Sequence, residues 1–217
     1  MKDYSTVFFD LDGTLVDSGE GVRNSVVYAL KKFGIEVENK DSLSCFIGPP
    51  LVVSFKTFFG FDDENADRGV SYYREYYKDK GIFEGYVYDG IEDTLKRLKA
   101  AGKRVMVATS KPEEFAKRVL EKFGIAKYFD FIAGATLDEK TRANKIEIMK
   151  YAFDSSGASP EDTIMVGDRL FDIEGAKHFG MECIAVLYGY GSREEFEQYG
   201  AEYIVESAED IADLILK

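Results

Sequence analysis

Cysteine is scarce in this chain: Cys45 and Cys183 are the two present among 217 residues, far too few to staple a disulfide scaffold. Reduced thiols in a cytoplasm are the expectation. No apolar span approaches the roughly 18 residues a bilayer requires, and no basic start leads into an apolar segment. Neither a membrane-crossing helix nor a secretion leader is therefore expected. Positive charge is in deficit, with 28 Lys and Arg against 40 Asp and Glu for a formal net charge of −12. That balance argues against nucleic acid polymers and anionic membranes as partners. Internal repeats, low-complexity tracts and a Gly-x-x-x-x-Gly-Lys phosphate cradle are all absent. Histidine occurs once, at His178, beside Ala176, Lys177 and Phe179 with no nearby His or Cys. It reads as a helix-face residue rather than a ligand or base.

What is present is more telling. At 45% hydrophobic content the chain can bury a full core, and its length suits roughly one to two domains. The β-prone run Thr6-Val7-Phe8-Phe9 ends in Asp10-Leu11-Asp12-Gly13-Thr14-Leu15. On extended backbone Asp10 and Asp12 project to one side, where they can share a divalent cation and a phosphate oxygen. Gly13 lets the chain turn, and Thr14 can satisfy amides of the loop. A second apolar run, Arg104 to Ala108, ends in Thr109-Ser110-Lys111 and opens a helix with Pro112 at its first position. A third, Thr163 to Val166, ends in Gly167-Asp168, with Asp172 one helical turn on. Between them Lys145 heads an amphipathic helix. Each strand thus delivers polar residues at its carboxyl end, the edge where open parallel sheets bind ligands.

The remaining pattern supports that architecture. Strands near 5–11, 104–109, 129–133, 163–166, 183–187 and 203–205 alternate with helices near 90–101 and 112–123, as in a parallel sheet flanked by helices. Gly102, Gly124, Gly180 and Gly200 mark helix ends, and Ser207 with Asp210 caps the last helix. Residues 17 to 84 break the alternation. Val22, Val26, Val27, Leu30 and Phe33 form one helical face and Leu51, Phe55, Phe58 and Phe59 another, while Tyr72, Tyr73, Tyr76 and Tyr77 make a stripe that could stack on a base but equally has the spacing of helix packing, the favoured reading. Gly189-Tyr190-Gly191-Ser192 looks phosphate-friendly but reads as structural, with Ser192 and Glu195 as a capping box.

Asp-Leu-Asp-Gly-Thr-Leu, the hydroxyl at Thr109, Lys145 and Gly-Asp-x-x-x-Asp, in this order and spacing, resemble the four motifs of the haloacid dehalogenase superfamily. The likeness covers essentially the whole chain and is nearest to phosphoglycolate phosphatases and 5′-nucleotidases. It implies an α/β fold: a Rossmann-like parallel-sheet core at 1–16 and 85–217, with an inserted small α-helical cap at 17–84. It also implies a Mg²⁺-dependent phosphatase acting on a small phosphorylated metabolite, as a monomer or small homo-oligomer. In that family Asp10 is the nucleophile and is phosphorylated, and Asp12 is the acid and base. Thr109 and Lys145 stabilise the transferring group. Asp10, Asp12 through its backbone carbonyl, and Asp168 hold the metal, while Asp172 holds Lys145 or a metal-bound water in place. Gly13, Ser110 and Lys111 are implied at the phosphate, and Gly48-Pro49-Pro50 is implied as the specificity turn of the cap. A β-phosphoglucomutase-like mutase shares these motifs. A receiver-like phosphoaspartate signalling domain also shares the acid pair, hydroxyl and lysine, but is about half this length and has no insertion.

Overall fold

The computed structural model describes residues 2–138 and 141–217. The chain divides into two compact units, Met1–Asp17 with Val87–Lys217, and Ser18–Tyr86. Two short strands, β2 (Val16–Asp17) and β3 (Tyr86–Val87), stand where the chain passes from one unit to the other.

The first unit is built on a six-stranded sheet of β1 (Thr6–Phe9), β4 (Arg104–Pro112), β5 (Phe131–Ala135), β6 (Thr163–Gly167), β7 (Cys183–Val186) and β8 (Tyr203–Val205). Its order is β5-β4-β1-β6-β7-β8, and every pairing is parallel. A parallel sheet is covered on both faces, which is why the central stretches of these strands, such as residues 7–9, 105–108 and 164–166, run continuously apolar rather than alternating. Helices α6 (Lys145–Ser156) and α7 (Leu170–His178) cover one face, where Phe8, Met106, Ala108, Met165 and Cys183 meet Ile148, Met149, Phe153 and Ile173. The Phe8 and Phe153 rings lie 5.0 Å apart. Helices α4 (Ile91–Ala100) and α9 (Ala208–Ile215) pack together and against β4 and β8, and α5 (Glu113–Lys122) follows β4.

Three local differences from the expected pattern have physical causes. β4 runs on to Pro112, whose ψ of 131° is extended, so this residue caps α5 instead of opening it. The pairing with β5 shifts register between Thr109 and Pro112. β5 starts two residues late, because Ala126–Tyr128 forms a 3-10 turn and the Asp130 carboxylate accepts the Val105 N–H at 2.8 Å. β1 stops at Phe9, so Asp10 and Asp12 lie in the turn that follows, where Leu15 N–H and Val16 N–H both donate to the Leu11 carbonyl.

The second unit is helical, with α1 (Gly19–Lys32), α2 (Leu51–Phe59) and α3 (Asp63–Tyr77). Its interior is aromatic. The Phe46 ring meets Phe55 at 5.1 Å and the Phe33 ring meets Phe61 at 4.7 Å. Of the tyrosine stripe, Tyr73 and Tyr77 are buried and stacked at 5.2 Å, the Tyr72 ring meets Phe33 edge-on, and the Tyr76 hydroxyl donates to Glu84 at 2.8 Å. All four are spent on packing, as their spacing predicts. Gly48 has a φ of 103°, and Pro50 precedes α2 as its cap, its carbonyl accepting the Ser54 N–H.

Candidate active site

Strand register brings the site together. Phe9 is level with Val107 on one side and Val166 on the other, and the Asp10 N–H extends the ladder to the Val166 carbonyl at 2.9 Å. The chain turns outward from β1 toward β4 and β5, then returns to β6 on the opposite side. Asp10, Thr109 and Asp168 therefore lie toward the carboxyl edge of the sheet at its switch point, where open α/β sheets form crevices.

Carboxylate oxygens of Asp10, Asp168 and Asp172 lie within 4.8 Å of one another, and all three residues are buried. Lys145 enters from the first turn of α6, itself capped by the Asn144 side chain accepting the Glu147 N–H. Its ammonium stands 3.0 Å from Asp10 Oδ1 and 2.7 Å from Asp172 Oδ1, and donates to the Ala108 carbonyl at 2.9 Å. An ammonium has three donors, and three acceptors surround this one. Burial alone would depress Lys145, but the Asp10 and Asp172 carboxylates outweigh it and hold the ammonium above its ordinary range. Burial pushes the Asp168 carboxyl well up, and the neighbouring charges of Asp10 and Asp172 add to this. Burial likewise raises Asp172 while Lys145 opposes it.

Three carboxyl groups face one ammonium, so the cluster offers an all-oxygen donor set that carries surplus negative charge when the acids are ionised. A hard divalent cation such as Mg²⁺ matches that donor set and offsets that charge. Asp12 stands apart from this cluster. Its Oδ2 pairs with Lys111 Nζ at 2.6 Å, and its Oδ1 has no hydrogen-bond partner among the described residues. The two aspartates of the first motif thus meet different lysines. Lys111 is likewise committed to Asp12. The Thr109 hydroxyl is buried and accepts the Lys111 N–H at 3.2 Å, leaving its proton to donate. Ser110 is half-buried beside it. Gly13 turns with φ 87°. Thr14 serves the cluster rather than the loop amides, donating its hydroxyl to Asp168 Oδ1 at 3.1 Å.

Several contributors escaped the sequence reading. Tyr190 donates its N–H to Asp168 Oδ2 at 2.8 Å and its hydroxyl to Asp17 Oδ1 at 2.6 Å. Burial together with Asp17 raises that phenol, so it acts as a neutral donor. Glu195 completes only half of the expected capping box. Ser192 accepts its N–H, but its carboxylate reaches Leu170 N–H at 2.7 Å and Arg169 Nε at 3.1 Å, tying α8 (Arg193–Tyr199) to the start of α7. The available clue was position, since the Gly-Tyr-Gly run follows β7 at the same sheet edge. His178 is exposed on α7, as expected of a helix-face residue.

A model of haloacid dehalogenase-like hydrolases matches residues 7–186. The chain belongs to this family. It is 41% identical to a 5′-nucleotidase of Pseudomonas aeruginosa over 196 residues, covering 90% of this chain and 88% of that protein. It is 37% identical over 208 residues to the tyrosine-protein kinase PtkA of Mycobacterium tuberculosis, covering 96% of this chain and 70% of the relative. The crystal structure of a predicted phosphatase from Clostridium acetobutylicum superposes with a TM-score of 0.96 at 48% identity, covering 99% of both chains. The six-stranded parallel sheet is thus the haloacid dehalogenase-like fold. Among the described residues no helix is long and apolar enough to cross a membrane.

Proposed function

We propose that this chain is a phosphatase of the haloacid dehalogenase-like family that hydrolyses a small-molecule phosphomonoester with the help of Mg²⁺, of the phosphoglycolate phosphatase or 5′-nucleotidase type. The observation that carries the reading is the buried cluster of Asp10, Asp168, Asp172 and Lys145. Asp10 and Asp168, with the Asp12 backbone carbonyl, would hold the cation, which when bound neutralises phosphoryl oxygens that would otherwise repel a carboxylate. An Asp10 oxygen then bonds to phosphorus as the ester P–O bond breaks. Asp12 gives its carboxyl proton to the departing alkoxide. In the second half Asp12 takes a proton from water, whose oxygen attacks the aspartyl-phosphate, freeing inorganic phosphate and restoring Asp10. Lys111 fixes one Asp12 oxygen in place and leaves the other to carry the transferred proton. Thr109 donates to the phosphoryl group, and Lys145 supplies fixed charge as oxygens crowd phosphorus. Residues 18–86, as a cap carrying the Gly48-Pro49-Pro50 turn, would select the leaving group.

The reading is tested by phosphate release from p-nitrophenyl phosphate and from a panel of phosphoglycolate, nucleoside 5′-monophosphates and sugar phosphates. Asp10→Asn should abolish Mg²⁺-dependent turnover with an unchanged circular dichroism spectrum, because the amide keeps the shape and loses the nucleophile. Asp12→Asn should lose on the order of 10²- to 10⁴-fold. Turnover retained in Asp10→Asn overturns the mechanism.

A further inference from the structure

The buried Asp168 carboxylate is enclosed by the loop that follows β7. Tyr190 N–H occupies one of its oxygens and the Thr14 hydroxyl the other. Each oxygen keeps a lone pair beyond those bonds. Thr14 is itself fixed, since the Tyr188 hydroxyl donates to its carbonyl at 2.9 Å. The backbone of the loop lies as close as atoms allow. A methyl group on Gly189 would fall on the Asp168 side chain and the Gly13 carbonyl, and one on Gly191 would fall on the Asp168 carbonyl and the Phe196 ring. From the other side, a methyl on Gly13 would strike the Asp168 carboxylate and meet the Tyr190 ring at 2.7 Å. The Tyr190 hydroxyl anchors the loop to Asp17.

Nothing in helix or sheet formation requires this convergence on one carboxylate. A loop closing over a strand end needs neither glycines pressed against one carboxylate from both sides, as Gly13 and Gly189 are, nor neutral donors matched to both of its oxygens. We infer that Tyr188–Gly191 is the positioning element of Asp168, orienting its free lone pairs toward Asp10 and so setting the affinity of the cluster for a divalent cation; this rests on reading the cluster as a cation site. The loop would act through Asp168 alone, without touching substrate, as partners of metal ligands commonly do.

Titration calorimetry with Mg²⁺ alone separates the possibilities. Wild type should bind. Gly189→Ala should weaken binding by about 10- to 100-fold, and Tyr190→Phe, which keeps the ring and loses the Asp17 bond, should weaken it to a lesser degree. Gly157→Ala is the structural control: it sits at a helix end with φ 66° and open space around it, far from these contacts in role. It should lower the melting temperature with the Mg²⁺ affinity unchanged. A folded Gly189→Ala with wild-type affinity overturns the inference. If Gly189→Ala does not fold, Tyr190→Phe decides, and wild-type affinity there overturns it equally. Absence of Mg²⁺ binding by wild type would instead refute the cation-site reading on which the inference stands.

Discussion

Lys145 combines two circumstances that rarely coexist, near-complete burial and a charge held on by its neighbours. Removing one member of a buried charged set typically costs about 3–5 kcal/mol, because the remaining charges lose compensation. Lys145→Met should therefore lower stability by about that amount in chelator. It should also make Mg²⁺ more stabilising, since the bare acids then draw the cation harder and bound ligand adds stability through its affinity for the folded state. Thermal melts with and without Mg²⁺ check this. An equal Mg²⁺-induced shift in variant and wild type would mean the ammonium does not share the field of the cluster. Asp10, Asp168 and Lys145 were legible because strand ends and motif spacing announce them. Asp12's pairing with Lys111 was not, because alternation holds only on extended backbone and β1 stops at Phe9. Side-chain partners across about a hundred residues leave no periodic trace.

At the scale of elements, the alternation of apolar strands and capped helices was readable from its punctuation, and Ser207 with Asp210 does form the expected capping box. Less visible was the approach to α6. Arg142 has φ 53°, a left-handed conformation that ordinarily costs a bulky residue about 1–3 kcal/mol unless surroundings impose it. Its guanidinium pairs with Glu113 at 3.0 Å and lies 4.0 Å over the Tyr151 ring. No local pattern reports such a clamp, since both partners come from other elements. It holds the segment that leads through Asn144 to Lys145. Arg142→Gly removes the strain and the clamp together, so stability should change by no more than about 1 kcal/mol, the two effects opposing. The turnover number should fall several-fold, because Lys145 then enters the cluster from a looser helix start. Urea melts and kcat measured side by side test this. An undiminished kcat would show that α6 is placed by its packing alone.

For the whole molecule, the dominant fact is a net charge of −12 on a protein that we read as taking an anionic substrate. Lysines in the site do not reverse that field at long range: Lys145 is offset by Asp10 and Asp172, and Lys111 pairs with Asp12. Attraction for a phosphate is thus confined to short distances once a cation completes the cluster, while approach from bulk takes place against repulsion. Charges interact over about 30 Å at 0.01 M ionic strength but over only about 8 Å at 0.15 M. Added salt should screen the approach more than it weakens buried contacts. At saturating Mg²⁺, kcat/KM for a phosphomonoester should accordingly rise as an inert salt such as potassium chloride increases from about 0.01 M to about 0.15 M. The change should lie in KM, with kcat nearly constant, because the chemical groups are buried and poorly screened. A falling kcat/KM would mean that a positive surface steers the substrate despite the overall charge, and would direct attention to the basic residues of the helical unit.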